Sequence, residues 1–310
     1  MQTARRAVID VGTNSVKLFI ADVAGDDVRP VHEESRQTRL GKGFYETHLL
    51  QPESIARTAE AVWEFGEVAR EKNADSIRVI ATSAARDAQN PKDLTNAIER
   101  ASGLKTEIIS GVREADLAFQ GVATDAELAE HPLLLLDVGG GSTEFILGQG
   151  AEKSFAHSFP LGTVRLMEKF PHSDPPKKSE LADCRDWLKN FLHYEVRAQL
   201  EPALKNQAGK ILLVGTGGTT SILARIEKKL DRFDREKIER TILTFDQVAA
   251  HRKNLWRLPL AERKETPGLP KLRADVILTG VLIYEMVMEE FGFSELRVST
   301  RGLRFAAVMD

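Results

Sequence analysis

Three stretches of this chain end an apolar run in glycines and hydroxyls: Asp10-Val11-Gly12-Thr13-Asn14-Ser15, Asp137-Val138-Gly139-Gly140-Gly141-Ser142 and Val214-Gly215-Thr216-Gly217-Gly218-Thr219. Glycine lets backbone approach a ligand closely, and such a turn presents several N–H groups and hydroxyls at once. That equipment cradles phosphate oxygens without supplying formal charge. A tight turn with no ligand uses the same residues, so one loop decides little and three together weigh more. Asp10 and Asp137 each stand just before a glycine loop. A carboxylate there suits a hard cation such as Mg²⁺, which takes one or two carboxylates plus waters and phosphates; it equally suits local capping of the turn. Glu144 begins the apolar segment that follows Ser142, where glutamate is a poor strand former.

Placing AVIDVGTNSVKLFIA beneath LLLDVGGGSTEFILG aligns Asp10 with Asp137, Gly12 with Gly139, Ser15 with Ser142 and Lys17 with Glu144 in constant register. We read an internal duplication in preference to two unrelated glycine turns. The exchange of Lys17 for Glu144 marks either two specialised halves or two strand positions that simply face water.

Periodicity supplies the elements that must position these residues. Residues 4–23 read as strand, turn and strand. Residues 50–74 read as a helix, with Ile55, Ala59, Val62, Phe65 and Ala69 at helical spacing. A strand over 76–87, a helix from Pro91 to Ser102, a short strand at EIISG and a helix at EADLAFQGVAT follow. Strand–helix alternation implies an α/β domain. After the pattern restarts at Leu133, the spacing predicts a long helix over 179–204 capped by Ser179. A strand then breaks at Gly215 and resumes as helix. The mixed-sign run RIEKKLDRFDREKIER reads as a solvated helix face, followed by an apolar helix over about 274–291, strand ELRVST and a short closing helix. Two domains result, 1–124 and 125–298, with the last helix, about 299–310, packing back on the first, and the two are expected to face each other across a cleft.

The composition, 42% hydrophobic and 29% charged over 310 residues, describes an ordinary globular protein with room for two cores. A formal charge of −3 lacks the positive field of nucleic-acid binders, so a polyanionic ligand would be met by a local cluster or a metal. Cys184 is the single cysteine, which excludes an intrachain disulfide and a Cys-based metal site within one chain; it fits a reducing compartment and reads as a core filler. The N-terminus leads directly into a strand pattern rather than a signal peptide, and no run approaches the ~18 apolar residues of a membrane span. Neither nucleic acid nor membrane is expected as a partner, and the expected location is cytoplasmic. The apolar stretch from Val276 to Met288 reads as core, with a homodimer surface as the alternative.

The segments IDVGTNSVKL, ATSAARDA, ISGVREADLAFQGV, LDVGGGSTEF, GTGGTT, RADVILTGVLI and VSTRGLR occur in that order across essentially the whole chain. Together they resemble the exopolyphosphatase and guanosine pentaphosphate phosphohydrolase family. The glycine loops alone would identify only its superfamily, that of actin, sugar kinases and heat-shock proteins, whereas ISGVREA and ATSAARDA are more specific. The resemblance implies two duplicated α/β domains of actin-like, ribonuclease H-like fold. It implies Glu114 as the general base that activates water; read by itself, Glu114 could equally be a first-turn residue facing the helix dipole. Asp137, Glu144 and Asp10 become ligands of Mg²⁺ or another divalent cation such as Mn²⁺. Arg86 becomes a phosphate contact, its alternative being an ion pair with Asp87. Gly12, Thr13, Asn14, Ser15, Gly139, Gly140, Gly141, Ser142, Gly217 and Gly218 become phosphate-binding positions. The chain departs from the family pattern at Arg113, where a glutamate is usual, and at Thr300, where aspartate is frequent. It also ends after two domains, without the helical domains that extend the polyphosphate surface of longer relatives.

The expected activity is removal of terminal phosphate from inorganic polyphosphate, guanosine pentaphosphate or both. The competing readings are a superfamily ATP-dependent kinase and a non-catalytic sensor of polyphosphate or guanosine tetra- and pentaphosphate.

Overall fold

In the computed structural model, which describes residues 3–310, the chain divides into two compact units. One comprises the residues up to Thr124 together with Arg301–Asp310; the other is Asp125–Thr300. The first is built on a sheet of β1 (Ala4–Val11), β2 (Val16–Ala24), β3 (Asp27–Arg36), β4 (Ser76–Ala81) and β5 (Thr106–Ile108), in the order β3-β2-β1-β4-β5. β1, β2 and β3 form an antiparallel meander, while β4 runs parallel to β1 and β5 parallel to β4. β1 is covered on both faces, which is why its sequence is nearly continuously apolar. Ala7, Ile9 and Val11 pack with Ile55, Val62 and Phe65 of the helix Pro52–Glu71 and with Leu94 and Ile98 of the helix Pro91–Ser102. On the other face Val8 joins Phe19, Leu117 of the helix Gly111–Ala123, and Leu303 and Phe305 of the helix Leu303–Ala307.

The second unit has β6 (Leu133–Val138), β7 (Thr143–Gln149), β8 (Glu152–Phe159), β9 (Leu212–Thr216), β10 (Ile242–Thr244) and β11 (Glu295–Val298), ordered β10-β11-β9-β6-β7-β8. The run β8-β7-β6-β9-β11 repeats the order and directions of β3-β2-β1-β4-β5, with β10 added antiparallel at the edge. The duplication extends to register. Asp10 lies opposite Lys17, and Asp137 opposite Glu144.

Three features differ from the sequence expectation. β3 and β8 are exposed for much of their length and charged, and β3 carries Pro30; these edge-strand devices hide the alternation that marks a half-buried strand. The long helix starts at Lys178 rather than after Ser179, because the Glu180 carboxylate accepts the N–H groups of Lys177 and Ser173 at 2.6 and 2.9 Å; it continues as a π-helical turn, Leu192–Arg197, and a final helix Ala198–Asn206. The mixed-charge run is not one helix: the helix Gly217–Lys228 ends within it, and only Arg235–Ile238 is helical beyond. At Thr300, the N–H donates to Glu239 at 2.8 Å and the hydroxyl bonds the same carboxylate, so Glu239 supplies the local acceptor. Arg113 pairs with Asp310. Among the described residues no helix is long and apolar enough to cross a membrane.

The helix Ile277–Phe291 is buried from Ile277 through Met288, placing that apolar stretch in the core of the second unit. Tyr284 on this helix is fully buried. Its hydroxyl lies 3.4 Å from the carbonyls of both Leu136 and Thr216 and is hydrogen bonded to the Thr220 hydroxyl. One phenol thus ties the end of β6, the end of β9 and the helix Gly217–Lys228. Burial pushes it well above its ordinary pKa, and the nearby charge of Asp137 adds to the rise. Tyr284→Phe leaves buried polar groups without this partner and is expected to cost about 1–3 kcal/mol, read from the urea denaturation midpoint. Cys184 is buried in the same core, and desolvation pushes its thiol up to about 12. It should resist thiol reagents at pH 8 in the native state and react once urea unfolds the chain; rapid modification of the native protein would contradict this packing.

Candidate functional site

In the first unit the turn after β1 is closed by Gly12 N–H donating to the Ser15 carbonyl at 3.1 Å. The carbonyls of Thr13 and Asn14 accept from Gly41 and Arg39 at 2.7 and 3.0 Å, whereas the amides of Thr13 and Asn14 donate to no protein group among the described residues. Asn14 is buried; its Oδ1 accepts from Gln37 at 3.1 Å, and its Nδ2 has no partner. An unpaired buried donor costs about 1–3 kcal/mol, so an anion is a fitting occupant here. Asp10, next to last in β1, has its Oδ2 3.9 Å from the Lys17 ammonium.

β4 ends beside the same turn, since Val11 pairs with Ala81 and Thr82 N–H donates to the Val11 carbonyl at 3.2 Å. The chain then forms a short helix, Ser83–Asp87, where the sequence pattern suggested continued strand. This helix carries Arg86. Glu114 lies in the first turn of the helix Gly111–Ala123, whose start is capped by the Ser110 hydroxyl accepting from Arg113 N–H at 3.2 Å. Arg86 Nη1 donates to Glu114 Oε2 at 2.7 Å and to the Ile109 carbonyl at 3.3 Å, and its Nε is 3.6 Å from Asp87. The ion pair with Asp87 is present, and a second, closer pairing with Glu114 accompanies it. Glu114 is buried to the point that 9% of it remains accessible, enough for one small ligand such as water to reach it. Sequence reasoning passed over Ser83, whose buried hydroxyl has no partner.

In the second unit Asp137 and Glu144 face each other across β6 and β7. Like charges directly opposed destabilise a sheet, and Glu144 is only 1% exposed. Ser158 O–H donates to Glu144 Oε1 at 2.7 Å. Gly139 N–H closes the turn on the Ser142 carbonyl at 2.9 Å, as in the first unit. The carbonyls of Gly139 and Gly140 accept from Thr163, Val164 and Arg165 at 2.8–3.1 Å, and Arg165 Nε donates to the Gly141 carbonyl at 2.8 Å. With those carbonyls held, the amides of Gly140 and Gly141 donate to no protein group among the described residues. The approach is so close that a Cβ on Gly162 would lie 2.4 Å from the Gly140–Gly141 backbone.

The third loop opens the helix Gly217–Lys228. Gly217 has φ +87°, and a Cβ there would lie 2.4 Å from Asp137 Oδ1, so the carboxylate is seated against bare backbone. Arg273 is beside Gly218, its guanidinium 3.8 Å from where a Cβ would project. The glycine pattern signalled the loops but not Arg165 or Arg273, which come from distant segments. Among the described residues no three His, Cys, Asp or Glu side chains converge; within the second unit Asp137 and Glu144 are the carboxylates at the glycine turn. Two hard oxygen donors fit a cation that completes its shell with water and phosphate, as Mg²⁺ does, and not a closed zinc site.

Residues 19–309 match the family model described as the Ppx/GppA phosphatase family. The chain belongs to that family. It is 34% identical to Exopolyphosphatase 2 of Mycobacterium tuberculosis, over 96% of each chain. It is 31% identical to the Aquifex aeolicus PPX-GPPA enzyme, with a TM-score of 0.79 over 99% of each chain. An exopolyphosphatase structure from Cytophaga hutchinsonii is 30% identical, with a TM-score of 0.86 over 97% of this chain and 96% of that one. The two α/β units of this Ppx/GppA phosphatase repeat one strand order, and the fold is shared with these solved structures.

Gly217→Ala combines a disfavoured backbone conformation with a collision at Asp137. Gly150, at φ +60° with its nearest obstacle 3.8 Å away, provides the strain without the collision. Gly150→Ala is expected to cost about 1–2 kcal/mol and Gly217→Ala more, because the collision adds to the strain; thermal denaturation of both variants checks this.

Proposed function

We propose that this chain is an exopolyphosphatase that removes the terminal phosphate of inorganic polyphosphate with a divalent cation, Mg²⁺ or Mn²⁺, and accepts guanosine pentaphosphate as a second substrate. Family membership and similarity along the full chain to exopolyphosphatases support a phosphoanhydride hydrolase. The observation that carries the reaction is the Arg86–Glu114 pair, a carboxylate and a guanidinium held 2.7 Å apart next to a phosphate-type turn.

In this reading water attacks the terminal phosphorus, its proton passes to Glu114, and the bond to the bridging oxygen breaks. Orthophosphate and a chain one unit shorter leave. Arg86 orients Glu114 through one N–H, and the other donors of its planar fork suit nonbridging phosphate oxygens. In the first unit the amides of Thr13 and Asn14 and the Nδ2 of Asn14 supply fixed donors suited to phosphate oxygens, and in the second the amides of Gly140 and Gly141 do the same. Asp137 and Glu144 would hold the cation, which when bound neutralises phosphate oxygens. Asp10 carries the equivalent carboxylate in the first unit, and Gly217 and Gly218 offer the head of a helix to an anion.

Phosphate release from short polyphosphate, long polyphosphate and guanosine pentaphosphate, with and without Mg²⁺, tests the assignment. Glu114→Gln is expected to lower kcat by about 10²–10⁴-fold, the usual worth of a general base, with KM little changed. Near-normal turnover by that variant would remove Glu114 from the role. Tight binding by the wild type without metal-dependent release would make the protein a sensor.

A further inference from the structure

The two sheets place one residue pair at the same structural point and give it opposite electrostatics. Asp10 is opposite Lys17 in the first unit, and Asp137 is opposite Glu144 in the second. Both pairs flank a four-residue turn closed by the same hydrogen bond, Gly12 to Ser15 and Gly139 to Ser142. Side chains directly opposed on antiparallel strands start from Cβ atoms about 4.5–5.5 Å apart, so each pair defines one local charge. In the first unit a carboxylate meets an ammonium, with the side chains of Asp10 and Lys17 12% and 25% exposed. In the second, two carboxylates meet and attract a divalent cation.

At the first pair the positive charge is already covalently present. An incoming divalent ion would meet one carboxylate and be repelled by Lys17, whose three N–H donors suit phosphate oxygens instead. A duplicated fold offers two equivalent positions for a cation, one in each unit. We propose that Lys17 is the built-in substitute for a second metal ion: it keeps the first unit's turn a metal-free phosphate site and fixes the protein at one divalent cation per chain. Lys17 is thus a specificity determinant that acts through the charge at Asp10. The inference rests on the assignment of the cation to Asp137 and Glu144.

Counting bound Mn²⁺ by electron paramagnetic resonance, on the full chain without substrate, tests both statements and separates them. The wild type is expected to bind one ion, Glu144→Gln none, and Lys17→Glu two, because Lys17→Glu rebuilds in the first unit the carboxylate pair of the second. The double variant Lys17→Glu with Glu144→Gln should return to one ion, now dependent on Asp10. Two ions on the wild type, or one on a Lys17→Glu protein with native circular dichroism, would overturn the role of Lys17. No ion on the wild type, or an ion retained by Glu144→Gln, would instead overturn the cation assignment. The wild-type count needs no variant to fold, so the inference remains open to refutation even if Lys17→Glu does not.

Discussion

The two glycine turns and the carboxylates beside them depend on strand register. A one-residue slip between β1 and β2, or between β6 and β7, would send every side chain to the opposite face and separate position 10 from 17 and 137 from 144. The turns prevent the slip. Gly12 N–H on the Ser15 carbonyl and Gly139 N–H on the Ser142 carbonyl close turns of fixed length, and turn length sets hairpin register where strands such as Leu133–Leu136 are apolar on both faces and do not set it themselves. The short turns then leave the carboxylates at the strand ends, where backbone pairing stops and donors become available. Fold stability and site geometry therefore rest on the same constraint.

Around this register the second unit invests polar contacts that an apolar core would not need. Tyr284 holds the ends of β6 and β9 to the helix that begins at Gly217, and Gly217 in turn supports Asp137. Arg263, fully buried, donates to the carbonyls of Leu255, Leu258 and Ala274 and so secures the segment next to Arg273. Such satisfied networks specify one arrangement because a displaced member leaves a buried partner unpaired. The glycines are the complement of this scheme. Where the loops approach Asp137 or the neighbouring backbone, there is no room for a side chain.

Much of the fold was legible in the sequence wherever burial imposed a period or a continuous apolar run, as at Ile55–Ala69 and Leu133–Leu136. The glycine loops and the duplication were legible because equivalent residues lie in constant register. Edge strands β3 and β8 were not, since exposed positions accept charges and proline without penalty to the core. The short helix under Arg86 was hidden because Thr82-Ser83-Ala84-Ala85 satisfies strand and helix alike. Ser83, Arg165 and Arg273 gave no local signal: what distinguishes them is a missing partner or a neighbour far along the chain, and only tertiary structure supplies that. The exchange of Lys17 for Glu144 was visible, but its meaning required knowing that each lies opposite an aspartate.

A chain of formal charge −3 that acts on a polyanion must concentrate its attraction locally. Most donors at the turns are neutral amides, which bind phosphate oxygens in proportion to their orientation and bring no long-range field that would trap unrelated polyanions. Of the cations near them, Arg86 is tied to Glu114, Arg165 to the Gly141 carbonyl and Lys17 to Asp10. Held this way, a guanidinium or ammonium loses little conformational entropy when a phosphate arrives, because its side chain is already ordered. The unequal halves fit the same scheme: at matching positions the first unit carries an ammonium opposite Asp10 and the second a carboxylate opposite Asp137, so two turns closed by the same hydrogen bond differ in charge.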